Sequence, residues 1–225
     1  MTTLADVAAA AGGHCLAVNG VVRAKASEAP FDGRFRTIVL FGPGAGFWTL
    51  VTASAEFANP APHPLDRWSI RVISGIARSL GGEPLFPFGG PPFAPFPDWA
   101  LKSGRCWPSP VNLLVHDHSG LMVSFRGAAG FADDLKNGNA SSEDESEQTE
   151  PSPCDQCPEQ PCRSACPVGA LTADGYDIAR CKAFLMTESG QDCMQRGCAV
   201  RRSCPLSAGA GREDAQSAFH MRAFL

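Results

Sequence analysis

The chain has 225 residues, a hydrophobic content of 44%, a charged content of 19% and a formal net charge of −4. A chain of this length is expected to form one or two domains with a buried core. Its acidic balance argues against a nucleic-acid-binding surface, which normally shows an excess of basic residues. No apolar stretch approaches the roughly 18–20 residues of a membrane span, and the N-terminus lacks the features of a signal peptide, so we expect a cytoplasmic protein that does not enter membranes.

The first 80 residues predict helices and strands in alternation. Residues 4–11 form a short helix, and residues 15–22 form a strand in which Gly20 allows a turn or bulge. The apolar run 37–41 is typical of a strand buried on both faces. Residues 47–57 predict a second helix. The clearest helix is 64–80, where apolar residues follow one 3.6-residue stripe and Pro64 suits the first helical position.

The middle of the chain predicts a hairpin and then a linker. Residues 111–115 and 121–125 are predicted to pair around a turn at 117–120. From 136 to 153 almost nothing is apolar and glutamates are frequent, which predicts a mobile acidic linker. The alternative for this segment is an acidic docking tail for a basic partner. The chain is therefore predicted to comprise an α+β domain (1–135), the linker (136–153) and a cysteine-rich domain (154–225).

The cysteines are concentrated near the C-terminus, where eight of ten lie between Cys154 and Cys204. Disulfides are rare in the cytoplasm, so this concentration indicates metal. Four cysteines crowd into the first run, 154–166, and both this run and the last one end in Cys-Pro. Cys15 and Cys106 lie outside the region and are interpreted as buried, inert thiols.

The spacing predicts two [4Fe-4S] clusters. In bacterial two-cluster ferredoxins, the cysteine before proline at the end of each run binds the other cluster. Applied to this chain, the rule exchanges Cys166 and Cys204 between the two runs. The first cysteine set is Cys154, Cys157, Cys162 and Cys204, and the second cysteine set is Cys166, Cys181, Cys193 and Cys198.

Two zinc sites of four cysteines each are the alternative, because zinc also takes four thiolates from Cys-x2-Cys pairs. Zinc modules usually separate two compact knuckles by a longer spacer, which the crowded first run does not do. Disulfides are a further, less favoured alternative.

The cysteine pattern resembles the iron–sulfur domain of the epoxyqueuosine reductase and reductive dehalogenase group. In that group a lone cysteine follows the first Cys-Pro and lies in a helix similar to residues 180–188, Arg-Cys-Lys-Ala-Phe-Leu-Met-Thr-Glu. Asp177 is predicted to cap this helix. The resemblance implies the same two cysteine sets, with Cys181 as the lone ligand, and a small bacterial-type two-[4Fe-4S] ferredoxin domain.

The earlier part of the chain resembles the cobalamin-decyanating family. Residues 111–127 are similar to a hairpin of that family, and residues 63–68 begin a comparable helix. The resemblance implies a nitroreductase-like, corrinoid-type α+β domain that binds cobalamin or a flavin such as FMN. Candidate cofactor-binding residues are His116, His118, Arg126 and Gly127, although turn histidines more often face solvent.

These observations predict a protein that relays single electrons between a redox partner protein and a corrinoid or flavin, as a reductase would. A catalytic residue is not assigned. Two alternatives remain: a plain ferredoxin-like electron carrier without a second cofactor, and a zinc-stabilised interaction protein without a redox role.

Overall fold

The chain divides into two compact units in a computed structural model that describes residues 1–25, 31–136 and 151–225. Unit 1 comprises Met1–Arg105 and Ser124–Thr149, and unit 2 comprises Cys106–Val123 and Glu150–Leu225. The structure is mixed α and β with small antiparallel sheets, as the predicted α+β class requires. Among the described residues, no helix is long and apolar enough to cross a membrane.

Helices and strands alternate along the chain. The strands are β1 (Leu16–Arg23), β2 (Thr37–Pro43), β3 (Glu83–Leu85), β4 (Cys106–Pro108), β5 (Leu114–His116), β6 (Gly127–Phe131), β7 (Leu171–Thr172) and β8 (Gly175–Tyr176). The α-helices are α1 (Leu4–Gly12), α2 (Phe47–Thr52), α3 (Ala55–Ala58), α4 (Pro64–Ser79), α5 (Phe96–Lys102), α6 (Ile178–Leu185), α7 (Gln191–Arg196), α8 (Ala199–Ser203) and α9 (Asp214–Phe224). Three 3₁₀ helices occupy Pro161–Arg163, Glu188–Gly190 and Pro205–Ala210.

Unit 1 is built on a four-stranded antiparallel sheet with the order β1-β2-β6-β3. Residues 38–41 of the central strand β2 are fully buried, which confirms the predicted strand with both faces covered. The register of β1 against β2 shifts between Val18 and Gly20, so the predicted bulge is also present. The apolar run of β2 therefore forms the centre of the unit 1 core.

The long helix α4 packs its apolar stripe into unit 1, close to the predicted bounds. It starts at Pro64 and buries Trp68 and Ile73, which are 1% and 0% exposed. The predicted single helix 47–57 is wrong, because the chain forms α2 and α3 with a break between them. Ser54 has extended backbone angles, which interrupt the helix, and it is the N-cap of α3 without a side-chain capping hydrogen bond.

Unit 2 combines two short hairpins with small helices. The predicted pairing of 111–115 with 121–125 is wrong: β5 pairs with β4, and 121–125 is not a strand. The reason is a tight turn in which Gly120 has a φ of +53° and Met122 N–H donates to Ser119 O, so the chain turns again instead of extending.

The boundary between the units differs from the predicted one. Residues 106–123 belong to unit 2 with the cysteine-rich segment, whereas the sequence placed them in the N-terminal domain. The helix predicted after Asp177 is confirmed as α6, and the Asp177 carboxylate accepts the Arg180 backbone N–H at 2.9 Å. Most of the predicted linker, residues 137–150, lies outside the described residues.

Candidate metal centre

The first cysteine set lines a single cavity in unit 2. All four of its cysteines contribute to the wall of this space, which has a volume of about 380 Å³ and is called the cysteine cavity below. Val115 and Leu121 add an apolar side to it. Cys154 and Cys204, which are 50 positions apart in the sequence, therefore line the same space.

Local structure aims each of these four cysteines. Cys154 and Cys157 lie in a turn closed by the hydrogen bond from Cys157 N–H to Cys154 O, at 3.2 Å. Cys162 sits in the 3₁₀ helix Pro161–Arg163, and Cys204 lies at the junction between α8 and the 3₁₀ helix that begins at Pro205. A turn and two short helices thus present thiols from three sides, as the loops around a cubane do.

The thiols of the first set also influence one another electrostatically. Burial raises the pKa of Cys154, and interactions with Cys162, Cys204 and Cys157 raise it further, against a hydrogen bond from Ser152 that lowers it. Burial likewise raises the pKa of Cys162, with contributions from Cys204 and Cys157. Each interaction joins two members of the predicted first set. Binding a metal centre here would displace protons from the buried thiols.

The second cysteine set is presented by α6, α7, the start of α8 and a loop. Cys181 lies in α6, Cys193 in α7, and Cys198 is the N-cap of α8. Burial raises the pKa of Cys181, and Cys198 and Cys166 add to the increase. Burial also raises the pKa of Cys193, with a contribution from Cys198. These interactions connect all four members of the predicted second set.

Cys166 differs from the other thiols because backbone amides surround its sulfur. Burial raises its pKa, but interactions with the backbone amides of Leu171, Val168, Ala170 and Gly169 lower the pKa overall. The Ala170 nitrogen lies 3.2 Å from Cys166 Sγ. Successive amides around one sulfur stabilise a thiolate, which is the form that binds iron or zinc.

Two further residues lie beside the second set: Tyr176, which the sequence did not single out, and Arg201, one of several cations interleaved with the cysteines in the sequence. Tyr176, the only tyrosine of the chain, has a raised pKa because of burial and of its hydrogen bond to Cys181. Arg201 donates to Leu121 O at 2.5 Å, and its charge lies near Cys198. Neither role has a signal in the sequence beyond closeness to a cysteine.

The turn that follows β5, residues 117–120, lies directly against a cysteine of the first set. A Cβ at Gly120 would lie 2.9 Å from Cys204 Sγ and 2.6 Å from Ser207 N. Both distances are too short for a side chain, so this position needs glycine for close approach as well as for its positive φ. The resemblance to the cobalamin-decyanating family suggested a cofactor-binding role for this turn. Within unit 2, the turn lies against Cys204.

The four candidate cofactor-binding residues divide between the units, with His116 and His118 in unit 2 and Arg126 and Gly127 in unit 1. His116 is 1% exposed, and its Nδ1 accepts the N–H groups of His118 and Ser119 at 3.2 and 3.1 Å. It therefore organises the turn. The His118 side chain is exposed.

Arg126 and Gly127 have structural partners within unit 1. Arg126 is buried and donates to Asp66 Oδ1 at 2.6 Å and to Ser69 Oγ at 3.3 Å, both on α4. A Cβ at Gly127 would lie 2.8 Å from Ile73 Cδ1, so helix packing accounts for this glycine. These contacts fasten α4 to the start of β6.

The chain matches no protein-family model, no curated protein and no solved structure. All ten cysteines are free thiols. Within the described parts of the chain, no three His, Cys, Asp or Glu side chains converge on the position of a single metal ion.

Proposed function

We propose that the chain is an electron-transfer protein whose unit 2 holds two [4Fe-4S] clusters, one on each cysteine set. The observation that carries this proposal is the cysteine cavity, because the four cysteines around it are those that the crossing-over rule groups together. The rule uses only positions in the sequence, whereas the cavity depends on the fold, so the two lines of support are independent.

The size of the cysteine cavity favours a cluster over a single ion. Its volume of about 380 Å³ is many times the roughly 30 Å³ that one water molecule occupies. Zinc draws four sulfurs to about 2.3 Å from one point, whereas a cubane places one thiolate on each of four separate iron corners. A wide space with thiols on several sides therefore suits the larger group.

The second set is suited to the same group by the donors around it. An oxidised cubane with four thiolates carries a net charge of about −2, which hydrogen bonds and nearby cations offset. The amides around Cys166, the Tyr176 hydroxyl at Cys181 and the charge of Arg201 supply such contacts. These features distinguish the second set from a group of inert thiols.

When bound, a [4Fe-4S] cluster takes up and releases one electron with little change in structure. The chain's own residues hold the sulfurs in place and limit access of water. Val115 and Leu121 form the apolar side of the cysteine cavity. Backbone amides around Cys166 and the Arg201 guanidinium would favour the more negative, reduced state of a bound cluster and so would raise its reduction potential.

The finer parts of the proposal rest on the resemblance described above. It supports a bacterial-type ferredoxin arrangement for the cysteine-rich part and a nitroreductase-like arrangement for the N-terminal part. A corrinoid or flavin as the electron acceptor stays a prediction. Titration with cob(II)alamin and with FMN tests it, because a saturable spectral change identifies a reductase and the absence of binding leaves a plain electron carrier.

The experiment that tests the proposal is an anaerobic absorption spectrum before and after dithionite, with zinc measured on the same sample. We expect a broad brown absorption that bleaches on reduction, without zinc. A colourless protein that contains zinc after anaerobic preparation would instead support the interaction protein with structural metal.

A further inference from the structure

A second cavity of unit 2 shares one wall with the cysteine cavity. This space, called the arginine cavity below, has a volume of about 310 Å³. Cys204 and Pro205 contribute to the lining of both cavities, so one thiol of the first cysteine set separates them. The polar side chains that line the arginine cavity are Arg196, Arg202, Arg212, Asp214, Ser203, Ser207 and Ser217.

The arginine cavity lies in a locally positive part of an acidic chain. Residues 191–225 contain five arginines and three acidic residues, whereas the whole chain has a formal net charge of −4. Such a field attracts negatively charged partners and raises their rate of association. The positively charged segment 191–225 therefore also contains Cys204, the member of the first set that borders the arginine cavity.

Two of the arginines are fixed by backbone carbonyls. Arg202 Nε donates to Gly197 O at 3.0 Å, and Arg212 Nη2 donates to Met122 O at 3.1 Å. These bonds orient the guanidinium groups, and Arg202 also forms an ion pair with Asp192 through Nη2. The positive lining is thus held in place before any partner arrives.

The ion pairs of Arg196 are of the kind that a partner can exchange. Its guanidinium lies 3.4 Å from Asp192 Oδ1 and 3.5 Å from Asp214 Oδ2, and all three side chains are more than half exposed. Exposed pairs of this kind contribute about 0–1 kcal/mol. Carboxylates of a partner can therefore replace Asp214 at little cost, whereas Asp192 also pairs with Arg202.

The lining indicates a protein rather than a small molecule. Small-molecule sites carry only a few polar groups, whereas three arginines, three serines and an aspartate line this cavity. Arginine is enriched at protein interfaces, where its planar group pairs with carboxylates. A partner surface that carries aspartates and glutamates matches both the charge and the donors.

We propose that the arginine cavity is the docking surface for an acidic electron-transfer protein. This partner exchanges electrons, across Cys204, with the centre that the first cysteine set would hold. The proposal rests on the proposed function. In the exchange, the reduced partner loses one electron and the centre held by the first set gains it, without making or breaking a covalent bond. Proton transfer is not required.

An acidic [2Fe-2S] ferredoxin is the probe for this surface, used with the iron-loaded full-length protein. Calorimetry with the oxidised probe measures binding, and stopped-flow mixing with the reduced probe measures bleaching. Arg196→Gln is expected to raise Kd and lower the bimolecular rate roughly two- to five-fold at low salt, and Asp214→Asn to change both in the opposite direction. High salt should remove these differences.

Arg222→Gln is the matched control. Arg222 is exposed and lies on α9, the helix that begins at Asp214. It is eight residues beyond Asp214 and so about 12 Å along the helix axis. The same charge change there should alter Kd and the rate less than the Arg196 variant does. Reduction by the methyl viologen radical cation, which has the opposite charge, should not slow in Arg196→Gln.

The proposal is wrong if iron-loaded protein binds the ferredoxin equally in the Arg196, Asp214 and Arg222 variants. It is also wrong if inorganic phosphate saturates the arginine cavity without weakening ferredoxin binding. A preparation without iron or bleaching would contradict the proposed function itself, so the two failures are distinguishable.

Discussion

The two units achieve order by different means. Among the described residues, nine of the twelve largest fully buried side chains belong to unit 1, where β2 and α4 supply most of them. Unit 2 has a small apolar cluster, which includes Val111, Leu171 and Val200, and eight of its nine cysteines form the two sets. The difference indicates that hydrophobic burial stabilises unit 1, whereas unit 2, on the proposed function, depends on the centres that its cysteines would hold.

Removal of the metal centres should have the largest effect and should affect unit 2. Metal binding to small domains is part of their folding free energy, so chelation under oxidising conditions is expected to expose the amides of α6–α9. The amides of β1, β2 and α4 should keep their protection. Hydrogen exchange followed by mass spectrometry measures both units in one sample. Equal loss of protection in both units would contradict the comparison.

A core substitution in unit 1 should be the next largest effect. Ile73→Ala removes a fully buried side chain of α4 and is expected to lower the free energy of unfolding by about 2–5 kcal/mol. Urea unfolding followed by tryptophan fluorescence measures it, since Trp68 lies on the same helix.

Ile70→Ala provides the matched control on α4. Ile70 is 46% exposed, so the same substitution there should change the free energy of unfolding by less than about 1 kcal/mol. The absorption of the metal centres at neutral pH and without urea should be unaltered in both variants. Loss of colour in the folded Ile73 variant would show that the two units are not stabilised separately.

Gly120→Ala tests the close approach of the turn to the first cysteine set. The added Cβ would lie 2.9 Å from Cys204 Sγ, so we expect a strained site that loses its iron several-fold faster to a chelator. Gly211→Ala is the control, because Gly211 has nearly the same φ, +54° against +53°, with no atom within 4 Å of the added Cβ. Similar iron loss in both variants would assign the effect to backbone strain alone.

The smallest effect should come from an ion pair in unit 1. The hydrogen bond and charge of Arg71 lower the pKa of Glu56 from its ordinary value of 4.5 to about 2. A carboxyl with a lowered pKa stabilises the fold above pH 4.5, and the contribution declines as the pH falls from 4.5 towards 2. Because Arg71 is 58% exposed, we expect about 1 kcal/mol at pH 7.

Urea midpoints of the wild type and Glu56→Gln at pH 7 and pH 3 measure this contribution. The difference between the two proteins should shrink at pH 3. Glu83→Gln is the control, since the Glu83–Arg34 pair is at least half exposed on both sides and should show little difference at either pH. A Glu56 difference that grows on acidification would contradict the assigned direction.

Features encoded locally were predictable from the sequence. The 3.6-residue stripe located α4, and Asp177 marked the start of α6. Spacing and Cys-Pro positions also grouped Cys154, Cys157, Cys162 and Cys204, which line one cavity. That each set holds a cluster stays a prediction.

Features that depend on contacts between distant residues were not predictable. The approach of Gly120 to Cys204 and the arginine cavity, to which both Met122 and residues 196–217 contribute, each join segments far apart in sequence. Arg126 shows the same limit. The resemblance suggested that it binds a cofactor, whereas the fold shows that it forms an ion pair with Asp66.

The central claim is that each cysteine set holds one cluster. The most direct test counts iron and acid-labile sulfide per chain in the wild type, in Cys204→Ser, in Cys181→Ser and in the double variant, with Cys15→Ser as a control outside both sets. Two cubanes require about eight of each in the wild type, about four in either single variant, and almost none in the double variant. The Cys15 variant should match the wild type. Zinc in place of iron, or single variants that retain all eight, would contradict the account.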